Sequence, residues 1–393
     1  MANFQNHNPL LAGMKGNMNT ITKTQVRLFA SSRSWIAGEA LRQFYAAANL
    51  EGVRIAAGFP DLHPGSGTPV GAAFVTESVI YPHLIGSDIG CGMALFKTGL
   101  SRRDAKLDRW AEMYFHLEHP WDEDVSEVLA AAGLESTEFD ADLGTIGGGN
   151  HFAEIQAVEN ILDARAFKRT GLGKEQLVLL VHSGSRGVGE SILRSHAGQH
   201  FGSGVEADSF AAEEYLRGHE FAMRWAKTNR ELIARRFAGK LGGEAELVWD
   251  GCHNQIVRHE TNGETVWIHR KGAVAADNRL VVIPGSRGSL SYLVKPTSDA
   301  ETHAWSLAHG AGRKWARCEA RLRMRERFGA NQLMQTPLGG RVICEERDQL
   351  YEEAPDAYKN IEVVIADLVA AGLVSVIATL RPLLTYKTRK LRR

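Results

Sequence analysis

The chain has 393 residues, 44% of them hydrophobic, and no formal net charge, enough for two domains of roughly 150 residues or one large one. The charge balance excludes bulk electrostatic recruitment to nucleic acid or membrane, so any polyanion site must be a local patch. Four scattered cysteines without a CxxC pair point to a reducing compartment, and with no secretory h-region and no stretch near the roughly 18 apolar residues of a membrane span a cytoplasmic protein is expected.

In chain order, amphipathic spacing predicts a helix over 34–48, followed by glycine-rich loops over 58–72 and 86–92 and a helix over 103–115. A further glycine loop covers 144–149. The run VLLVHSG at 178–184 reads as a buried strand entering a loop at 184–189. A long helical stretch over 211–241 precedes strands at 246–251, 263–272 and 279–286, the last ending in a loop over 285–288. A helix is expected over 304–328, opening around His309, with glycines at 310–312, and a short one over 362–371. No internal repeat or low-complexity linker divides the chain. The expectation is one α+β domain over 1–393, with a helical insertion at about 190–245 and a basic tail at 388–393.

Polar residues sit at the ends of these strands, in the glycine loops, where a rigid scaffold can present them. Asp88 and Cys91 lie three apart in DIGCGM, and His151, His182 and His253 lie in GGGNHF, HSGSRGVG and CHNQ. A thiolate, a carboxylate and neutral imidazoles form a transition-metal ligand set. Five ligands from four motifs exceed one tetrahedral site and suit two adjacent divalent ions. The mixed set disfavours Mg²⁺ and Ca²⁺ and permits Mn²⁺, Zn²⁺, Co²⁺ or Fe²⁺. Singly, each residue would read as a core cysteine or a hydrogen-bonded histidine; together, in glycine contexts, they read as ligands.

GGGN at 147–150, SGSRG at 183–187, PGSRG at 284–288 and HGAGR at 309–313 can form anion-binding nests of backbone N–H groups, and Arg186 and Arg313 can grip phosphate bidentately. None matches a P-loop. Several such nests in one chain point to a phosphorylated substrate. His309 is open to three readings on chemistry alone: a nucleophile forming a phosphoramidate, a sixth metal ligand, or a helix cap. Arginines from Arg313 to Arg327 and the basic tail form a local polyanion surface or a solvated helix face with a loose end.

These residues resemble the RtcB family of GTP- and Mn²⁺-dependent RNA-splicing ligases. The resemblance runs from about residue 55 to 387 through FPDLHPGSGTPVG, GSDIGCGM, LGTIGGGNHFAEI, VHSGSRGVG, CHN, HRKGA, IPGSRGS, HGAGR and EAPDAYK. It implies an RtcB-like fold of stacked mixed sheets surrounded by helices. It implies two Mn²⁺ ions on Asp88, Cys91, His151, His182 and His253, and guanylylation of His309. It implies GTP contacts from Asn150, Glu154, Ser286, Ser291, Ala311, Tyr358 and Lys387, and an RNA phosphate on Arg186. The activity implied is joining of RNA 3′-phosphate or 2′,3′-cyclic phosphate ends to 5′-hydroxyl ends through a His–GMP adduct and an RNA(3′)pp(5′)G end. RNA repair, ribosomal RNA included, or tRNA splicing would be its setting, with a monomeric enzyme and a functional link to a release factor homologue. The chain departs from the family's usual pattern at PHLIGSDIGCGM, at GSRGS, which puts Arg287 near the guanine pocket, and around 190–245. Two other readings compete: a dinuclear phosphohydrolase that opens cyclic phosphates without ligation, and a non-catalytic RNA-binding protein.

Overall fold

The computed structural model describes residues 24–200, 203–276, 280–297 and 300–389; of the basic tail, positions 390–393 lie outside the described residues. Two mixed sheets organise the α+β fold. The larger runs in the order Val281–Ile283, Ser291–Pro296, Val374–Thr388, Phe152–Ile161, Gln176–Ser183, Gly92–Ser101, Ala245–Cys252, with Arg341–Cys344 added in parallel to Val374–Thr388. The smaller runs Gln25–Leu28, Val53–His63, Val70–Thr76, Glu264–Lys271, Asn254–Thr261.

The uninterrupted apolar run in Gln176–Ser183 follows from burial on both faces. Side chains alternate across a strand: Val178 and Leu180 join a core shared with Phe59, Val75 and Ile268 of the smaller sheet. Leu177, Leu179 and Val181 face the other way, onto Ile233, Ala234 and Phe237 of the helix Phe210–Lys240. Strand Gly92–Ser101 splits likewise, Met93 and Leu95 to one core, Ala94 and Phe96 to the other. The 31-residue helix is therefore wedged into the structure, with Trp225, Arg230 and Phe237 fully buried. Ser209 caps it, its hydroxyl accepting from the Ala212 N–H.

Three expected elements differ. The loop expected over 58–72 shrinks to 64–69, because Val53–His63 and Val70–Thr76 extend into a hairpin. The helix expected over 103–115 is a capped 3₁₀ turn at Arg102–Asp104 and a short helix at Leu107–Glu112. The helix expected to open around His309 begins only at Arg317 and ends at Arg327. Ser306–Ala308 is a strand paired with Ala273–Ala275, and Ala304 and Trp305 preceding it have positive φ. Among the described residues no helix therefore opens at His309. Among the described residues no helix is long and apolar enough to cross a membrane.

Candidate active site

Strand register explains why distant motifs converge. Gly92 stands opposite both Ser183 and Cys252, and Phe152 stands opposite His182. Cys91, His151, His182 and His253 thus lie within one residue of a common level at one end of the larger sheet. The loops they occupy are tied together from below. Arg230 pairs with Asp250 through two 2.8 Å hydrogen bonds and donates to the carbonyls of Gly90 (2.8 Å) and Ser183 (2.9 Å). Asn229 accepts from the Gly144 N–H at 2.7 Å and donates to the Ser183 hydroxyl at 3.1 Å. Asn254 donates to the Asp88 carbonyl at 3.2 Å and accepts from the Gly272 N–H at 3.0 Å.

The Cys91 Sγ lies 3.3 Å from His182 Nε2 and 3.5 Å from His151 Nε2. These three residues are buried and their ligand atoms lie within 4.8 Å of one another. Asp88 Oδ2 is 3.1 Å from His151 Nε2. On the other side, the His253 ring centre is 5.1 Å from that of His182 and 4.7 Å from that of His309. The five expected ligands are thus strung out around the thiol rather than gathered at one point. Gly184 is required by packing: a Cβ there would stand 2.2 Å from Asp88 Oδ1.

Donor chemistry in this cluster fits a metal. Burial, reinforced by neighbouring histidines, holds His182 and His253 well below the ordinary imidazole range, so both keep a free lone pair at neutral pH. Burial pulls the Asp88 carboxyl upward, but the His151 and Cys91 hydrogen bonds and the Arg186 charge outweigh it and leave it ionised. Burial and then Asp88 push the Cys91 thiol well up, so a thiolate here needs a cation. Asp88 Oδ1 and the Nδ1 atoms of His151 and His182 are buried without hydrogen-bond partners.

His309 follows its strand into Gly310 and lies against Asp61, a fully buried carboxylate. Asp61 Oδ2 accepts from His309 Nδ1 at 2.7 Å and from its backbone N–H at 3.2 Å. A carboxylate oxygen accepts, so Nδ1 is the donor in this contact and Nε2 is the ring nitrogen left for other partners. Lys359 braces the support, donating to the carbonyls of Pro60 (2.9 Å) and Leu62 (2.7 Å). Gly312, at φ 71°, passes so close that a Cβ would be 2.2 Å from the Asp61 carbonyl.

Asp88, Cys91, His151, His182, His253 and His309 open onto one pocket of about 1330 Å³, with Asp61 and Lys359 behind its wall. Thirteen of the fourteen residues expected to form the site line it, and the exception is Ser291. Ser291 is buried beneath the wall, where Gln156 donates to its hydroxyl (3.0 Å) and to Glu154 Oε1 (2.6 Å). Glu154 also accepts from Thr385, and burial raises its carboxyl. Arg186 adopts φ 57° and lies against Gly147, where a Cβ would collide with its guanidinium. Its Nε has no partner.

Arg313 is not free to grip phosphate. It donates to Glu353 (2.8 Å), to the Glu352 carbonyl (2.7 Å) and to the Trp315 carbonyl (3.2 Å), and stacks on Tyr358. Glu353 also accepts from Tyr358 and faces Lys387 at 3.6 Å. Burial raises its carboxyl, but Lys387 and Arg313 outweigh that and hold it low. The basic helix is largely neutralised: Arg321 and Arg325 pair with Asp348, Arg327 with Asp356, and Arg323 with Glu319. Asp61, Glu353, Asn254 and Arg230 were not singled out from the sequence. The first three lie inside the motifs FPDLHPG, EAPDAYK and CHN, and only Asp61, next to Pro60, carried a local signal of its own.

A family model described as tRNA-splicing ligase RtcB matches residues 43–136 and 123–388. The chain is 43% identical to the RNA-splicing ligase RtcB2 of Escherichia coli, over 91% of this chain and 94% of that protein. It is 29% identical to the tRNA-splicing ligase RtcB of Pyrobaculum aerophilum, covering 82% and 86%, and 27% identical to RNA-splicing ligase RtcB homolog 1 of Entamoeba dispar, covering 88% and 81%.

Proposed function

The chain belongs to the RtcB family of RNA ligases, and from that premise we propose that it joins an RNA 3′-phosphate or 2′,3′-cyclic phosphate end to a 5′-hydroxyl end through a GMP adduct on His309. The supporting observation is His309 itself, held by Asp61 through Nδ1 beside His253, in the pocket that also holds the thiol–histidine cluster. The Nε2 lone pair attacks the α-phosphorus of GTP; a P–N bond forms, the bond to the bridging oxygen breaks and pyrophosphate leaves. Asp61 accepts from Nδ1, keeps the proton on the ring and balances the charge that develops there.

An oxygen of the RNA 3′-phosphate then attacks the same phosphorus. The P–N bond breaks, giving RNA(3′)pp(5′)G and free His309. The 5′-hydroxyl of the second strand attacks the RNA phosphorus and GMP departs. A cyclic end is first opened by water to a 3′-phosphate. Two Mn²⁺ ions, assigned to Asp88, Cys91, His151, His182 and His253, would neutralise the phosphates in these steps. Asn150, Glu154, Ser286, Ala311, Tyr358 and Lys387 are proposed to hold the guanosine nucleotide, with Ser291 acting through Gln156, and Arg186 to hold the RNA phosphate. The chain is proposed to work as one catalytic domain, long helix included, because Asn229 and Arg230 tie the ligand loops to it. Repair of broken RNA is the proposed role, with tRNA splicing as the alternative.

The test is an RNA carrying a labelled terminal 3′-phosphate, offered with a 5′-hydroxyl strand, GTP and Mn²⁺. The label should move into a phosphatase-resistant junction only when GTP is present. Given an RNA with a 2′,3′-cyclic phosphate instead, opening of that end without joining would establish the phosphohydrolase.

A further inference from the structure

The pocket mouth carries two tryptophans that the chemistry above does not use. Trp35 lines it while 51% exposed. Among the described residues no ring or cation is stacked on it. Its segment is nonetheless fixed: the Ser31 N–H and the Ser34 hydroxyl both donate to Asp367 Oδ2, at 2.8 and 2.6 Å. An anchored, uncovered indole forfeits burial that a large aromatic side chain ordinarily gains.

Trp315 lines the same pocket from the segment after His309. The Arg323 guanidinium lies 4.9 Å, and the Lys314 ammonium 5.9 Å, from its ring centre, and both cations line the mouth. Although the chain has no net charge, eight Lys and Arg side chains against four Asp and Glu line the pocket. The local excess is positive, as a polyanion requires.

Aromatic faces set among cations suit unpaired nucleotides, whose bases stack while their phosphates meet the charges. Duplex RNA keeps its bases inside and would present no ring to either tryptophan. We propose that Trp35 and Trp315 are stacking platforms for the single-stranded nucleotides flanking the RNA break, with Lys314 on their phosphates. This rests on the RNA-ligase reading of the same pocket.

Binding can be separated from chemistry by fluorescence anisotropy, using a short single-stranded RNA with a 3′-phosphate end and no GTP. Trp35→Ala and Trp315→Ala should each raise Kd by roughly tenfold or more, and Trp35→Phe should recover most of the loss. Wild type should lose affinity when one of the terminal nucleotides is abasic, and Trp35→Ala should then bind abasic and intact RNA alike. Labelling by GMP, which uses no RNA, reports whether each variant is folded. A Kd within about twofold of wild type for folded Trp35→Ala or Trp315→Ala, or an abasic penalty undiminished in Trp35→Ala, would overturn the proposal. Tryptophan-dependent RNA binding by a wild-type protein that takes no GMP label would uphold the platforms while sinking the ligase reading.

Discussion

Replacing Asp61 should separate the charge of the His309 support from its geometry. A single carboxylate oxygen accepts two hydrogen bonds from His309, while Asp61 Oδ1 is buried without a partner. An asparagine can present its carbonyl oxygen to both N–H donors and turn its amide to the side where Oδ1 has no hydrogen-bond partner, which keeps the ring's tautomer and position. What it loses is the charge. A hydrogen bond to a charged group contributes about 1.5–3 kcal/mol against about 0.5–1.5 for a neutral one. The difference, about 1–1.5 kcal/mol, corresponds to a GMP-labelling rate roughly 5- to 13-fold slower. Asp61→Ala removes both bonds and frees the tautomer, and should cost on the order of a thousandfold or more. It also removes the charge that opposes burial of Lys359, whose pKa burial brings to about 8, so stability should fall as well. Single-turnover labelling with GTP, normalised to metal content and thermal stability, is the assay. Labelling of Asp61→Ala at the wild-type rate would refute the reasoning. So would an Asp61→Asn variant as slow as Asp61→Ala, because orientation and charge would then not be separable.

Three further outcomes are expected. Gly184→Ala would drive a methyl against the Asp88 carboxylate and should weaken metal binding by about tenfold or more with the fold intact, measured by Mn²⁺ titration; unchanged affinity would count against Asp88 as a ligand. Lys271, which donates to Thr68 Oγ1 at 2.6 Å and lines the pocket, is brought by burial from 10.5 to about 8. It is cationic below that pH and neutral above it, so GTP or RNA affinity should fall as pH rises through about 8. Lys271→Arg, charged throughout, should flatten that profile, and an identical profile would exclude Lys271 as its source. Arg230→Met strands Asp250 and frees the Gly90 and Ser183 carbonyls, so denaturant unfolding should show a loss of about 3–5 kcal/mol; a loss under about 1 kcal/mol would mean the ligand loops hold themselves.

The motifs that converge on the pocket were legible because metal chemistry restricts residue types and the glycines around them mark close backbone approach. Gly184 against Asp88 is an instance. Strand Gln176–Ser183 was legible from its apolar run, although that run could not say that the long helix covers one of its faces. The helix expected at His309 failed for a nonlocal reason: Ser306–Ala308 finds its hydrogen bonds in Ala273–Ala275, a pairing invisible in a window of neighbouring residues. Arg313 read as a phosphate ligand because its glycine context resembles a nest, yet Glu353, forty positions on, claims its guanidinium. Arg230 looked like one more charge on a charged helix, and only the fold shows that its side chain is fully buried beneath the ligand loops.

The proposed ligase chemistry turns on His309 as the nucleophile. Incubating the protein with GTP labelled on the α-phosphate and Mn²⁺, followed by denaturing electrophoresis, tests it most directly. The expected result is an acid-labile, alkali-stable label on wild type and none on His309→Ala, with fold and metal content unchanged. A label that survives in His309→Ala, or no label on metal-loaded wild type, would contradict it.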